Sequence, residues 1–261
     1  MQKIISWNVA SLRARMPALK RLLEEERPDV VCVQETKATE ETFPAFELQL
    51  AGYKAALAGQ KSYNGVAILA RQPLTDVIAR LPTLDESEPQ ARFIQATLPD
   101  GCVVISVYVP NGNPPERDPA DTSRLNYKLK WLDALARHMD SLLQSDKKII
   151  LCGDFNVIVR DTDVYNPQAF EGNALMLPAV RAAFAKITAL PLVNALREKH
   201  PEEHLYSFWD FQMGAWQRNW GILLDYIFTS SATGIADCRV LKDVRGWDKT
   251  SDHAPVMLIE K

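Results

Sequence analysis

The chain has 261 residues, 47 % of them hydrophobic, and a formal net charge of −3. That length and apolar share suit one domain spanning 1–261, and no linker, repeat or low-complexity tract offers a place to divide it. No apolar stretch is long enough to span a bilayer, and the negative balance excludes a nucleic-acid binder held by bulk charge, though not one with a local basic rim.

In chain order, apolar runs read as strands near 3–9 and 29–35, separated by a helix near 14–26. In that helix Met16, Leu19, Leu22 and Leu23 share a face, with Glu24, Glu25 and Glu26 outside it. A helical pattern near 39–50 follows, then strands near 64–71, 92–98 and 102–109. Asn111 to Asp121 is rich in Pro, Asn and Asp and reads as a loop. A long helix near 122–144 carries the stripe Leu125, Leu129, Leu132, Leu135, Met139 and Leu142. The strand near 148–154 leads to a second loop, Asp161 to Gly172, and a helix near 178–188. The segment Asp210 to Gly221 sets Phe211, Met213, Trp216 and Trp220 among polar residues, fit either for packing or for stacking on DNA. Strands near 223–229, 237–241 and 255–260 close the chain. Many strands with interspersed helices imply two packed sheets with helices outside.

Four acids end or flank these apolar runs. Glu35 follows Val30 to Gln34, Asp154 follows Ile149 to Gly153, Asp225 follows Ile222 to Leu224, and Asp252 precedes Pro255 to Ile259. A carboxylate at the end of a buried strand is held rigidly at a sheet rim. Several such rims meeting would form an oxygen-rich site for a hard divalent cation such as Mg²⁺. Asn156 and His253 flank two of these acids. His138, His200 and His204 read as surface or satisfied core groups, and Arg239 to Lys249 is as consistent with solvated surface as with a DNA rim. Cys32, Cys102, Cys152 and Cys238 form no CxxC pair and lie in or beside strands, so they read as buried free thiols. With a start, Met1 to Ser6, that lacks a signal-peptide layout, they imply a reducing cytoplasm.

Ser6-Trp7-Asn8-Val9, Gln34-Glu35-Thr36-Lys37, Tyr63-Asn64-Gly65, Tyr108-Val109-Pro110-Asn111-Gly112, Gly153-Asp154-Phe155-Asn156, Tyr206-Ser207-Phe208-Trp209, Leu224-Asp225-Tyr226 and Ser251-Asp252-His253-Ala254-Pro255 stand in this order along nearly the whole chain. The set resembles the exonuclease III and abasic-site endonuclease family. The resemblance implies a four-layer α/β/β/α sandwich of two mixed sheets, and a Mg²⁺-dependent phosphodiesterase, with Mn²⁺ as a workable substitute. Its expected partner is double-stranded DNA with abasic or 3′-blocked lesions, cleaved 5′ to abasic sites or trimmed 3′→5′, by a monomer.

By that resemblance Glu35, Asp252 and Asn8 hold metal, and Tyr108, Asp154, Asn156, Asp225 and His253 perform catalysis. Asp225 pairs with His253, and either His253 or Asp154 activates water. Phe208, Ile222 and Leu224, with Trp209 nearby, form an apolar pocket for a sugar lacking its base, while Tyr63, Arg92 and Lys37 bind the rest of the substrate. Two positions depart from the family. Ala10 replaces an Asn or Asp beside the metal, and Leu223 replaces an Arg expected near DNA. A catalytically weakened regulator stays open on those departures, and a relative acting on another phosphoester stays open beside it.

Overall fold

Side-chain alternation in the first strand sets the layering. In β1 (Gln2–Asn8), Ile5 and Trp7 point to one face, and Ile4, Ser6 and Asn8 to the other. The first face is covered by α1 (Leu12–Glu26) through Leu12, Met16, Leu19, Leu22 and Leu23. The chain then returns to β2 (Val30–Gln34), parallel to β1, with Asn8 in register with Gln34. This computed structural model describes residues 1–85, 89–231 and 234–261. Its remaining elements are α2 (Ala45–Leu50), β3 (Lys54–Ala58), β4 (Val66–Ala70), β5 (Thr75–Ile78), β6 (Phe93–Thr97), β7 (Val103–Tyr108), α3 (Ser123–Leu142), β8 (Ile149–Asp154), α4 (Pro178–Thr188), β9 (Val193–Asn194), α5 (Ala195–Lys199), β10 (Asp225–Thr229), β11 (Ile235–Val240) and β12 (Val256–Glu260), with 3₁₀ turns at Asp161–Asp163, Pro167–Phe170 and Lys242–Gly246.

Among the described residues two six-stranded sheets result, ordered β11-β12-β1-β2-β4-β3 and β5-β6-β7-β8-β10-β9. Each holds one parallel pair, β1/β2 and β7/β8, joined by a helical crossover, and is otherwise antiparallel. The sheets face each other across Ile4, Val30, Cys32 and Ile68 on one side and Val104, Ile150 and Cys152 on the other. A polar seam crosses this core: Gln34 Nε2 donates to Ser106 Oγ at 2.9 Å and to Ser6 Oγ at 3.3 Å. Trp131, Leu132, Leu135 and Met139 of α3, with Phe184 of α4, cover the outer face of the second sheet. The architecture is therefore the α/β/β/α sandwich. All four cysteines are free and buried. Among the described residues no helix is long and apolar enough to cross a membrane.

The sequence-based reading departs from the structure at its short elements. Residues 39–44 form a turn rather than the start of a helix, because Thr42 Oγ1 accepts from Thr39 N at 2.9 Å and Pro44 has no N–H for a helical bond. Strands β3, β5 and β9 and helix α5 escape prediction because each spans at most five residues and lacks clear alternation or periodicity.

Both parallel pairs end at the same rim. Tyr108 is in register with Asp154, and Asp154 with Asp225, so the second sheet delivers three of the candidate side chains there. Gly153, just before Asp154, allows β7 and β8 to approach: a Cβ at this position would lie 1.9 Å from Val107 O, and its φ is +150°. Gly153→Ala should destabilise the fold by about 3 kcal/mol or more, at the top of the range for overpacking. Urea unfolding checks this, and a loss under about 1 kcal/mol would show that the pair opens more easily than its geometry implies.

Candidate active site

The rim is built from left-handed turns that follow the strands. Glu35, Lys37 and Asn156 have φ of +52°, +52° and +50°, and Ala10 has +49°. Such backbone is costly for residues other than Gly, Asn and Asp, and it collects where side chains must be aimed. Asn8 ties the two sheets together, its Nδ2 donating to Glu35 Oε1 at 3.1 Å and to Asp154 Oδ2 at 3.0 Å. Its Oδ1 accepts from Ala10 N at 3.0 Å, which fixes the amide's orientation. Asn8, expected as a metal ligand, thus presents its NH₂ to the carboxylates and orients them.

Asp154 is almost fully buried and sits among donors. Its Oδ1 accepts from Asn156 N at 2.9 Å, and Asn156 Nδ2 lies 3.3 Å from Oδ2 while donating to Val109 O at 2.9 Å. His253 Nε2 is 3.8 Å from Asp154 Oδ2, and His253 Nδ1 is 2.8 Å from Asp225 Oδ2. Ser207 Oγ donates to that same Asp225 oxygen at 2.6 Å and accepts from Leu224 N and Asp225 N at 3.1 Å each. The loop carrying His253 is pinned from both sides: Trp7 Nε1 donates to His253 O at 2.9 Å, and Ser251 Oγ donates to Asn8 O at 2.7 Å.

These contacts set the charges. Burial raises the Asp154 carboxyl to about 7; His253 lowers it, Asp225 raises it, and the bonds from Asn8 and Asn156 lower it. Burial would lower His253, but Asp225, its hydrogen bond, Asp154 and Asp252 outweigh that and lift it to about 10. His253 is therefore an imidazolium at neutral pH. Burial pushes Glu35 up, yet Lys37 with the bonds from Tyr108, Asn8 and Lys37 prevails and leaves it below the usual carboxylate range. The Tyr108 phenol is driven well above its ordinary value by burial, then by Glu35 and Asp154, so it stays protonated and can donate.

Among the described residues no three His, Cys, Asp or Glu side chains converge into a ready metal cage. The donor set nonetheless fits a Mg²⁺-type ion, which takes one or two carboxylates and keeps several waters. Glu35 is anionic and 20 % exposed, and half-buried Asp252 lies 3.1 Å from the Ser251 Oγ that bonds Asn8 O. Lys37, expected on the substrate, instead places its Nζ 3.1 Å from Glu35 Oε2 and 3.4 Å from Ala10 O.

Two concavities flank this cluster. A groove of about 570 Å³ runs past Tyr108, lined by Tyr63, Asn64, Arg92, Asn111 and Arg124, and among its described lining residues the charged ones are the two arginines. Arg92 lies over the Tyr108 ring at 4.7 Å and donates to Tyr108 O at 3.2 Å. Tyr63 is 72 % exposed. An apolar cavity of about 320 Å³ has Phe208, Ile222, Leu175, Tyr165, Phe170 and Trp220 in its wall. Phe208 packs on His253 at 4.9 Å between rings.

Trp209 and Leu224, expected to face substrate, do not line the cavity. Trp209 is 1 % exposed, with Nε1 donating to Asn219 Oδ1 and its ring against Trp216, so it anchors the 210–221 loop. Leu224 packs behind with Ile158 and Val164. Leu223 also corrects the expectation of a charge lost near DNA: it is fully buried in the main core, where an Arg would face apolar side chains. Across Arg239 to Lys249 the two arginines are engaged, while Lys242 and Lys249 are exposed. Arg239 pairs with Asp237, and buried Arg245 donates to Trp209 O. Asn111 is a further candidate, in a loop whose sequence carries no periodicity to mark it. It lines both concavities, and its Nδ2 donates to Asn156 Oδ1 at 3.3 Å.

Comparison with known proteins places this geometry. Residues 5–253 match the model of the endonuclease/exonuclease/phosphatase family. An exodeoxyribonuclease of Bacillus subtilis (strain 168) is 34 % identical over 264 residues, covering 98 % of both chains. An AP endonuclease structure from Archaeoglobus fulgidus aligns over the full length of both chains at 32 % identity and a TM-score of 0.93. The 3′ phosphatase NExo from Neisseria, solved with a product DNA hairpin, does so at 35 % identity and 0.94. The chain thus belongs to the endonuclease/exonuclease/phosphatase family, in its exonuclease III and AP-endonuclease branch of hydrolytic nucleases.

Proposed function

We propose that the chain is a Mg²⁺-dependent DNA-repair phosphodiesterase that cleaves 5′ to abasic sites and removes 3′-blocking groups or 3′ nucleotides. The observation that carries this reading is the Asp225–His253–Asp154 line joined through Asn8 to Glu35, set between an arginine-lined groove and an apolar cavity. The groove suits a phosphate backbone, and the cavity suits a sugar turned out of the duplex without its base.

Asp154 is the group suited to take a proton from the attacking water, since burial holds its pKa near the working pH. His253, already cationic, is not a base; it faces the developing charge on the phosphoryl oxygens, and Asp225 keeps it charged and oriented. Tyr108, whose phenol bonds Glu35 in the free site, would turn its one O–H toward the same phosphate, and Asn156 fixes Asp154. Glu35 and Asp252 would hold the cation, which supplies charge neutralisation on the phosphate and at the leaving oxygen.

The test is incision of a duplex carrying one abasic analogue and of a duplex with a 3′-phosphate, with Mg²⁺ and with EDTA. The expected result is a nick 5′ to the lesion and release of the terminal phosphate, both abolished by EDTA and restored by Mg²⁺ or Mn²⁺. Cleavage confined to inositol phosphates or lipid headgroups, or DNA binding without turnover, would overturn the reading.

A further inference from the structure

Lys128 is fully buried on α3, and the chemistry above makes no use of it. Its Nζ donates to three main-chain carbonyls: Asn111 O at 2.9 Å, Asn156 O at 2.5 Å and Ala174 O at 2.9 Å. An ammonium has three protons, and each carbonyl here takes one. The acceptors come from three loops, those after β7 and after β8 and the one leading into α4. Each loop builds a different part of the site. Asn111 stands between groove and cavity, Asn156 holds Asp154, and Ala174 precedes Leu175 of the cavity wall.

The surroundings are shaped for this side chain. A Cβ on Gly112 would lie 2.7 Å from Lys128 Cδ, so the lysine stem passes through the space that glycine leaves, at a residue whose φ is +87°. A buried cation is an expensive way to fill a core, and burial here lowers its pKa to about 7 against the pull of Asp154. A leucine or methionine would fill the volume at less cost, but would leave three buried carbonyls without donors.

We propose that Lys128 is a positioning residue, a three-carbonyl clasp that sets Asn156, and through it Asp154, against the cavity wall without touching substrate. Its kinetic test rests on the phosphodiesterase reading above; its structural test does not. Lys128→Met keeps the stem and removes the donors. On abasic duplex its kcat should fall about 100-fold with KM within about threefold, the effect of a displacement near 1 Å in catalytic geometry. Leu132→Ala, on the same helix but facing only core, should lower the melting temperature at least as far and keep kcat within about threefold when assayed well below that temperature. Amide exchange should rise in Lys128→Met at 111–113, 154–157 and 173–176 and not across the sheets.

A Lys128→Met enzyme with kcat close to that of the parent chain overturns the proposal. So does exchange that is unchanged at the three loops or raised uniformly, and that readout decides even if the parent chain cleaves no DNA, an outcome that sinks the functional reading alone. If Lys128→Met does not fold, Lys128→Arg serves. Its planar fork cannot direct three protons from one nitrogen. Lower kcat with the same loops deprotected supports the clasp, and parental kcat and protection overturn it.

Discussion

Asp154→Asn is expected to lower kcat for metal-dependent DNA incision by about a thousandfold, with DNA affinity changed only a few-fold. The substitution is isosteric, so the rim and both concavities keep their shape. Three things are lost together. The amide cannot take a proton from water at neutral pH, which removes a general base worth about 10²–10⁴ in rate. Asn8 Nδ2, Asn156 N and Asn156 Nδ2 all donate to the Asp154 oxygens, so an Asn NH₂ must meet at least one donor and rotate away. His253 also loses the anion 3.8 Å from its Nε2. Asp225 and Ser207 remain to hold the imidazolium, so substrate binding should survive. Single-turnover incision beside fluorescence anisotropy on an uncleaved duplex separates rate from affinity. A rate within tenfold of the parent would remove Asp154 from the proton path and return the choice of base to His253.

That choice was open in the sequence because it is decided by neighbours, not by identity. Apolar runs ending in Glu35 and Asp154 were legible as strands with acids at their tips, since a run buried on both faces has little other use. That the tips meet depends on β8 lying between β7 and β10, which the order of elements along the chain does not fix. The Asp225–Asp154 register then brings His253 between two carboxylates, and only that placement makes it a cation. Leu223 went the other way. As one residue in an apolar run it was judged by what the family carries there, while its inward direction follows from strand pairing. Asn111 lies in a loop without periodicity, where no pattern marks one Asn above another. Lys128 did leave a trace. It falls between Leu125 and Leu132 at helical spacing, on the face that meets the core, and a charged residue on such a stripe asks what satisfies it.

Glu35→Gln should abolish most turnover, by about 10²–10³-fold, and raise the Mg²⁺ concentration needed for half-maximal rate by tenfold or more. On the proposed function, metal binding would rest on few charges. Among the described residues there is no cage of three acidic or histidine ligands, so a single anionic oxygen pair carries much of the attraction for a hard cation. Glu35 is kept anionic, as a cation ligand would need, with Asn8 on Oε1, Lys37 on Oε2 and a further bond from Tyr108 keeping it ionised against burial. Gln keeps the size but removes the charge, and its NH₂ must face one of those donors. Lys37 then has only the Ala10 carbonyl, and its uncompensated ammonium repels an incoming cation. Ala10 offers no side-chain oxygen to take over from Glu35, which leaves Asp252 as the remaining proposed ligand. Calorimetric titration with Mg²⁺ and Mn²⁺ in the absence of DNA reads the binding loss directly, and incision rates against metal concentration read its consequence. An unaltered metal titration in Glu35→Gln would place the cation elsewhere on the rim, toward Asp225, whose Oδ1 is buried with no hydrogen-bond partner.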